Sequence, residues 1–253
     1  MHKNKLKEVY IKCVAFTLIY LVYHLITPIA AFVRDSREFY RICGKYLVIR
    51  PIFSLTPIHL KVHGLENLPA GPIVIAANHR SLIDSLALLA ILDRPFTIIT
   101  EPFDAMPSGI IQQWVKQLGY LPVIRDEKDE KNHRIGMSRH NLVPLCTHKV
   151  HSGKSLVVYP EAHHEKRQGL LTFKTGALRI ALGARVPLVP IAITGSDKVI
   201  TPKYYHLHAG IITIRIGEPM QLHMYYGKED ERKLIRELTR RLRERIRHLI
   251  PGH

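Results

Sequence analysis

Apolar residues along this chain fall into three kinds of run. The first is long and nearly unbroken: "CVAFTLIYLVYHLITPIAAFV", residues 13–33. Its length is close to the roughly 20 residues that cross a bilayer as a helix. Pro28 lacks a backbone donor and crowds the preceding turn, so it is expected to kink or end that helix and leave a second short apolar piece. The second kind is short and β-branched, and it recurs at 58–62, 72–77, 96–100, 120–124, 155–160, 188–194 and 211–217. Such runs predict buried strands. Between several of them lie segments of helical character, at 82–92, 107–118, 138–150 and 174–184. The third kind is a helical stripe near the C-terminus, Leu234, Leu238, Leu242, Ile246 and Leu249, with Arg and Lys on the other faces. Strands alternating with helices predict an α/β fold: a central mixed, largely parallel sheet flanked by helices. The expected organisation is an N-terminal membrane-associated helical segment over 1–50, then one main domain over 51–253.

Composition narrows the class of partner. The chain has 253 residues, 46% of them hydrophobic, enough for a sizeable core. Its formal charge of +16 favours a polyanionic partner: nucleic acid, an anionic membrane face or phosphorylated substrates. Aromatics hardly occur among the basic residues of the C-terminal stretch, which argues against a stacking platform for single-stranded nucleic acid. That stretch reads as a helix packed on the domain with a solvated basic face, to which a membrane-surface role can be added. Cys13, Cys43 and Cys146 are scattered and form no C-x-x-C pair, which fits a reducing compartment rather than a disulfide framework or a zinc ribbon.

Near the N-terminus, Lys3, Lys5, Lys7 and Lys12 stand against one acid, Glu8. Several arrangements fit the apolar run behind them. It can be a single span with its lysines inside, a kinked or two-helix motif lying in the interface, a cleaved signal peptide or a buried core helix. Membrane attachment without cleavage is the reading adopted, because the run exceeds a signal peptide's usual apolar length.

One polar cluster interrupts the apolar pattern where a strand should feed a helix: Asn78, His79, Arg80, Ser81 and Asp84 within "VIAANHRSLIDSLALL". Ser81 and Asp84 fit a helix-capping pattern, with Ser81 as the cap. That leaves His79 unexplained. On one continuous helix His79 and Asp84 would stand about 140° apart. With His79 in the preceding turn, Asp84 can reach back to the imidazole, fix its tautomer and stabilise the cation formed when the other nitrogen takes a proton. No serine or cysteine nucleophile is evident, so a substrate hydroxyl is the expected nucleophile.

Asn-His-x-Ser-x-x-Asp resembles the first signature block of the glycerolipid acyltransferases, the 1-acylglycerol-3-phosphate acyltransferase family. Three further stretches follow in that family's order: "GYLPVIR" (119–125), "VVYPEAHHEKRQGLLTFKTGA" (157–177) and "VPLVPIAITGS" (186–196). The resemblance implies an acyltransferase domain in which His79 is the general base and Asp84 its partner. The donor would be an acyl thioester of acyl carrier protein or coenzyme A, the acceptor a lysophospholipid hydroxyl, and no cofactor or metal would be needed. It implies acceptor binding by Glu161, with Arg125 and Lys174 at the family's basic positions. It also implies contact with membrane lipids on the cytoplasmic face of the inner membrane, and no nucleic-acid partner.

The match departs in two places. His164 stands where the family has an arginine for the acceptor phosphate, with Arg167 three residues on as a substitute, and the lysine that opens the second block is missing at Ile99. A neutral histidine offers one donor where arginine offers a charged fork. These changes loosen the choice of acceptor rather than of reaction. Adjacent His163 and His164 lack metal-ligand spacing. A non-catalytic lipid-binding protein on the same fold is the competing reading, and a nucleic-acid binder the third.

Overall fold

The computed structural model describes residues 2–252 apart from 104–105, 107–108, 125–135, 162–168 and 202–205. Among the described residues, seven strands form one sheet. They are β1 (Ile58–His63), β2 (Val74–Ala77), β3 (Phe96–Thr100), β4 (Leu121–Pro122), β5 (Ser155–Val158), β6 (Leu188–Thr194) and β9 (Gly210–Ile216), in the spatial order β1-β9-β6-β2-β5-β3-β4. Neighbours pair in parallel except β6 with β9, which run antiparallel. A two-stranded ribbon, β7 (Ile200–Thr201) with β8 (His206–Leu207), stands beside it. The expected mixed, largely parallel α/β sheet is therefore the observed one.

β2, β5 and β6 read as continuous apolar runs because both faces of the sheet are covered. Successive residues of a strand point to opposite faces. Ile73, Ile75 and Ala77 therefore join one apolar cluster, and Val74 and Ala76 the other. The first cluster is closed by α1 (His2–Ala30), by a helical run of α2 (Ser36–Cys43), a π-helical turn (Gly44–Ile49) and α3 (Arg50–Leu55), and by α4 (Ile83–Ile91) and α5 (Gly109–Gln117). The second is closed by α6 (Arg139–His151), α7 (Gly176–Ala184) and the C-terminal helix α9 (Arg232–Leu249). The short α8 (Ser196–Val199) follows β6. At the turn between them, Gly195 holds φ of 84°, and a Cβ there would come within 2.2 Å of the Ile211 carbonyl oxygen.

At Pro28 the structure departs from the sequence expectation. Pro28 does not split the apolar run: α1 continues through it to Ala30. In the last turn, a proline forfeits little more than one backbone bond. The polar stretch that follows is helical, begun by Asp35, whose side chain accepts the Glu38 N–H at 3.1 Å. Arg50 is the first residue of α3, and residues on both sides of it share a cluster with the sheet. Finally, α9 and α1 lie on opposite faces of the sheet. One flat membrane cannot meet the outer sides of both, so the basic face of α9 is not a second contact for a membrane that α1 touches.

α1 lies along the domain. The Tyr10 hydroxyl donates to the Leu55 carbonyl at 2.8 Å, Trp114 Nε1 to the Ile19 carbonyl at 3.4 Å, and the Tyr40 hydroxyl to Thr27 Oγ1 at 3.0 Å. Its outward side keeps Phe16, Tyr20, Leu21, Leu25 and Ile29 exposed. In the π-helical turn, Lys45 is fully buried and donates to the Leu92 carbonyl at 3.0 Å and to the carboxylate of Asp93. Burial pushes the Lys45 ammonium down, and the Lys45 hydrogen bond holds the Asp93 carboxyl below its ordinary value. The Asp93 contribution to stability is therefore present above the ordinary carboxylate range and is lost as pH falls through the lowered value. Asp93→Ala strands a buried cation and should lower the thermal unfolding midpoint by several degrees. Adding Lys45→Met should restore most of that loss, since an apolar replacement removes the stranded charge.

Candidate active site

The carboxyl ends of β2, β5 and β6 meet at one edge of the sheet, the edge at which open α/β sheets bind ligands. β2 is central, paired with β5 on one side and β6 on the other. Asn78 extends that pairing beyond the last strand residue. Its Nδ2 donates to the Ile193 carbonyl at 2.8 Å, and its Oδ1 accepts the Ile193 N–H at 2.7 Å. The side-chain amide thus stands in for a strand backbone and pins the start of the next turn to β6. Asn78 is fully buried, so both bonds are shielded from water.

His79 follows. Its Nδ1 lies 2.9 Å from Asp84 Oδ2. The same oxygen accepts the Arg80 N–H at 2.7 Å and the Ser81 N–H at 2.9 Å. Backbone amides can only donate, so Oδ2 is an acceptor and the third partner must donate to it. That assigns the imidazole proton to Nδ1 and makes Nε2 the basic nitrogen. Asp84 itself is fully buried in the first turn of α4. The ring of Tyr159, the residue after β5, stacks on the imidazole with centroids 3.9 Å apart and planes 16° apart. Its hydroxyl pairs with Ser85 Oγ at 2.9 Å. Burial, with the Asp84 carboxylate nearby, raises the Tyr159 phenol well above its ordinary value, so it stays protonated near neutral pH.

The backbone of His79 is held as well. Its N–H donates to Glu161 Oε1 at 3.1 Å, and Glu161 Oε2 accepts the Leu171 N–H at 2.8 Å. Arg243 of α9 holds the same segment by donating to the carbonyls of Leu170 (2.7 Å) and Leu171 (2.9 Å). A chain of contacts therefore runs from α9 through the 170–171 segment and Glu161 to His79. An arm of Arg80 reaches the Gly169 carbonyl at 3.3 Å.

Of the residues singled out from sequence, His79, Asp84 and Glu161 come together. Lys174 lies exposed just before α7, its backbone N–H bonded to the Pro160 carbonyl. Arg125, His164 and Arg167 lie outside the described residues, as does the His163–His164 pair. Ser81 is not the side-chain cap: its hydroxyl donates to the Ile200 carbonyl at 3.3 Å while Asp84 takes the amides of the turn. Sequence reasoning missed Asn78 as the clamp on β6, Tyr159 as the stacking partner and Arg243. One apolar cleft, about 430 Å³, is lined by Phe53, Leu60, Val62, Leu65, Ala90 and Ile91 together with Arg50 and Asp93. It lies beside the last turn of α4, whereas Asp84 sits in the first, so neither His79 nor Asp84 lines it.

A family model described as Acyltransferase matches residues 59–194, more than half of the chain. The chain belongs to the acyltransferase family. Family membership covers β1 to the end of β6, so His79, Asp84, Glu161 and Lys174 fall inside the matched region while α1 and α9 fall outside it. The chain is 31% identical over 202 residues to a 1-acyl-sn-glycerol-3-phosphate acyltransferase of Escherichia coli (strain K12), covering 79% of this chain and 77% of that one. It is 28% identical over 193 residues to a chloroplastic protein of the same name from Brassica napus, covering 75% of this chain and 52% of that one. The chain spans about half the length of the first curated relatives it matches. Its fold is similar to the crystal structure of the 1-acyl-sn-glycerophosphate (LPA) acyltransferase PlsC from Thermotoga maritima. That match has a TM-score of 0.70 and 21% identity, and covers 96% of each chain.

Asn78 gives a test of how the acyltransferase site is assembled. Asn78→Ala leaves the Ile193 N–H and carbonyl buried without partners and should destabilise the fold by roughly 2–4 kcal/mol, read as a fall in the denaturant midpoint.

Proposed function

We propose that the protein transfers a fatty acyl group from an acyl thioester, carried on acyl carrier protein or coenzyme A, to the hydroxyl of a lysophospholipid. The acceptor best supported is 1-acylglycerol-3-phosphate, giving phosphatidic acid, because relatives covering most of the chain bear that name. The observation that carries the reading is the 2.9 Å contact of His79 Nδ1 with a buried, doubly amide-bound carboxylate. In this reading Nε2 of His79 takes the acceptor's hydroxyl proton as that oxygen attacks the thioester carbonyl. The tetrahedral intermediate collapses by breaking the carbon–sulfur bond, and the imidazolium returns the proton to the departing thiolate. Asp84 stabilises the imidazolium and holds its tautomer. Tyr159 fixes the plane of the ring, and Glu161 fixes the backbone that carries it.

The same reading places the protein on a membrane, its acceptor's home. α1 contains a stretch, Lys5–Ala30, long and apolar enough to cross a bilayer, its most apolar 18-residue window having a mean hydropathy of 1.9. Contacts at Tyr10, Ile19 and Thr27 bind it to the domain along its length, which favours a helix lying in the interface over one that projects through it. Its exposed apolar side is extended by Ile42, Tyr46, Leu47 and Leu55. An apolar surface this wide on one side is a membrane or protein contact.

Membranes containing the protein, given labelled acyl donor and a panel of lysolipids, should form phosphatidic acid. His79→Ala should abolish transfer in a variant that still folds and binds vesicles. Asp84→Asn should lower kcat by about 10²–10⁴. Turnover retained in His79→Ala would overturn the proposal, and a different product would replace the acceptor. Leu21→Lys with Leu25→Lys should release the protein from phospholipid vesicles in a sedimentation assay while leaving its unfolding midpoint unchanged.

A further inference from the structure

Among the described residues, the element richest in arginine is α9, outside the region matched by the family model. Arg232, Arg236, Arg240, Arg243 and Arg247 recur at spacings of three and four. At 3.6 residues per turn they form a stripe along one side of the helix, about 22 Å from first to last. Lys233 borders it. All but Arg243 are exposed, and Arg243 is half-buried where it turns inward to the Leu170 and Leu171 carbonyls. The stripe therefore runs up to the segment that holds Glu161, and through it His79. Exposed Lys174 and Arg179 on the neighbouring α7 side widen the basic surface, Arg179 being paired with exposed Asp230.

Two acids only, Glu237 and Glu244, interrupt α9. Glu237 is taken up by Arg240 and Arg241, and Glu244 by Arg247 and Arg243. Glu229, Asp230 and Glu231 flank its first turn, Asp230 paired with Arg179 and Glu231 with Lys228, and the stripe keeps a positive surplus. An isolated stripe of this kind is normally a solvated face, but two placements point to a partner. It lies across the sheet from the apolar side of α1, so a membrane held by α1 does not neutralise it. It also adjoins the active-site edge, where the acyl donor must arrive.

We propose that the basic stripe of α9 is the docking surface for an acidic, water-soluble acyl carrier protein, which delivers its thioester to His79 from the side away from the membrane. This rests on the acyl-transfer reading above and selects one of its two donors. Charge complementarity supplies the recognition. An acidic partner is steered onto a positive face, with the rate of encounter falling as salt rises. A coenzyme A thioester is small and enters without needing the length of the helix.

The test uses the full chain in phospholipid vesicles, with acyl-carrier-protein and coenzyme A thioesters of one acyl chain as alternative donors. The variant is Arg232→Gln/Lys233→Gln/Arg236→Gln. These three side chains are exposed, and glutamine removes each charge while keeping helix propensity, so the helix should keep its stability. The expected result is a rise of tenfold or more in KM for the carrier-protein donor. Turnover with the coenzyme A donor should stay within twofold, and vesicle binding should be unchanged. The wild-type KM for the carrier-protein donor should also climb steeply between low and moderate salt. An unchanged KM for the carrier-protein donor would overturn the inference. So would equal losses with both donors, release from vesicles, or a wild-type protein that uses coenzyme A thioester alone; this last result leaves acyl transfer standing. A wild-type protein that uses neither donor with any lysolipid would overturn the acyl-transfer reading itself.

Discussion

The Asp84 carboxylate is buried at the start of α4, and a charge removed from water persists only where donors surround it. Oxygen Oδ2 gathers three: the amides of Arg80 and Ser81 and Nδ1 of His79. The two amides fold the 79–84 turn around the carboxylate, so the turn and the charge depend on each other. The imidazole then has one way to complete the set, by donating from Nδ1. Ring orientation, tautomer and the basicity available at Nε2 all follow from this one oxygen.

The rest of the architecture serves that turn. Asn78 anchors its first residue to β6, Glu161 anchors the His79 backbone from the end of β5, and Tyr159 lies flat on the ring. Arg243 anchors the segment beyond Glu161 from the far face of the sheet. Three strand ends and two helices thus converge on one side chain, which is how a short polar cluster becomes a rigid site. The same layering separates the outer surfaces: apolar residues on the α1 side, cations on the α9 side.

Much of this was legible in the sequence. The β-branched runs marked every strand of the sheet: β2, β5 and β6 as runs buried on both faces, β1 and β9 as alternating ones with one face more exposed. The His79–Asp84 pairing followed from spacing plus the strand-to-helix context. Other features were hidden for physical reasons. Pro28 reads as a breaker, yet near the end of α1 it forfeits little, so the helix runs on to Ala30. The helix α2 was not predicted, although Asp35 and Glu38 carry a helix-start signal; its buried side is visible only once Tyr40 and Cys43 meet α1 and the sheet. Ser81 matches a capping pattern, but the carboxylate of Asp84 competes for the turn and wins as the charged acceptor. Arg243 contacts a segment 72 residues earlier, and no local pattern encodes such a meeting.

The account stands on the direction of the proton between His79 and Asp84, and ¹⁵N NMR of histidine-labelled protein in detergent reads it directly, with His79 assigned by its loss in His79→Gln. The prediction is a neutral imidazole protonated at Nδ1, with an unprotonated Nε2 signal. A His79 protonated at Nε2 in the wild-type protein would contradict the account, because that nitrogen could then accept no proton from a substrate hydroxyl.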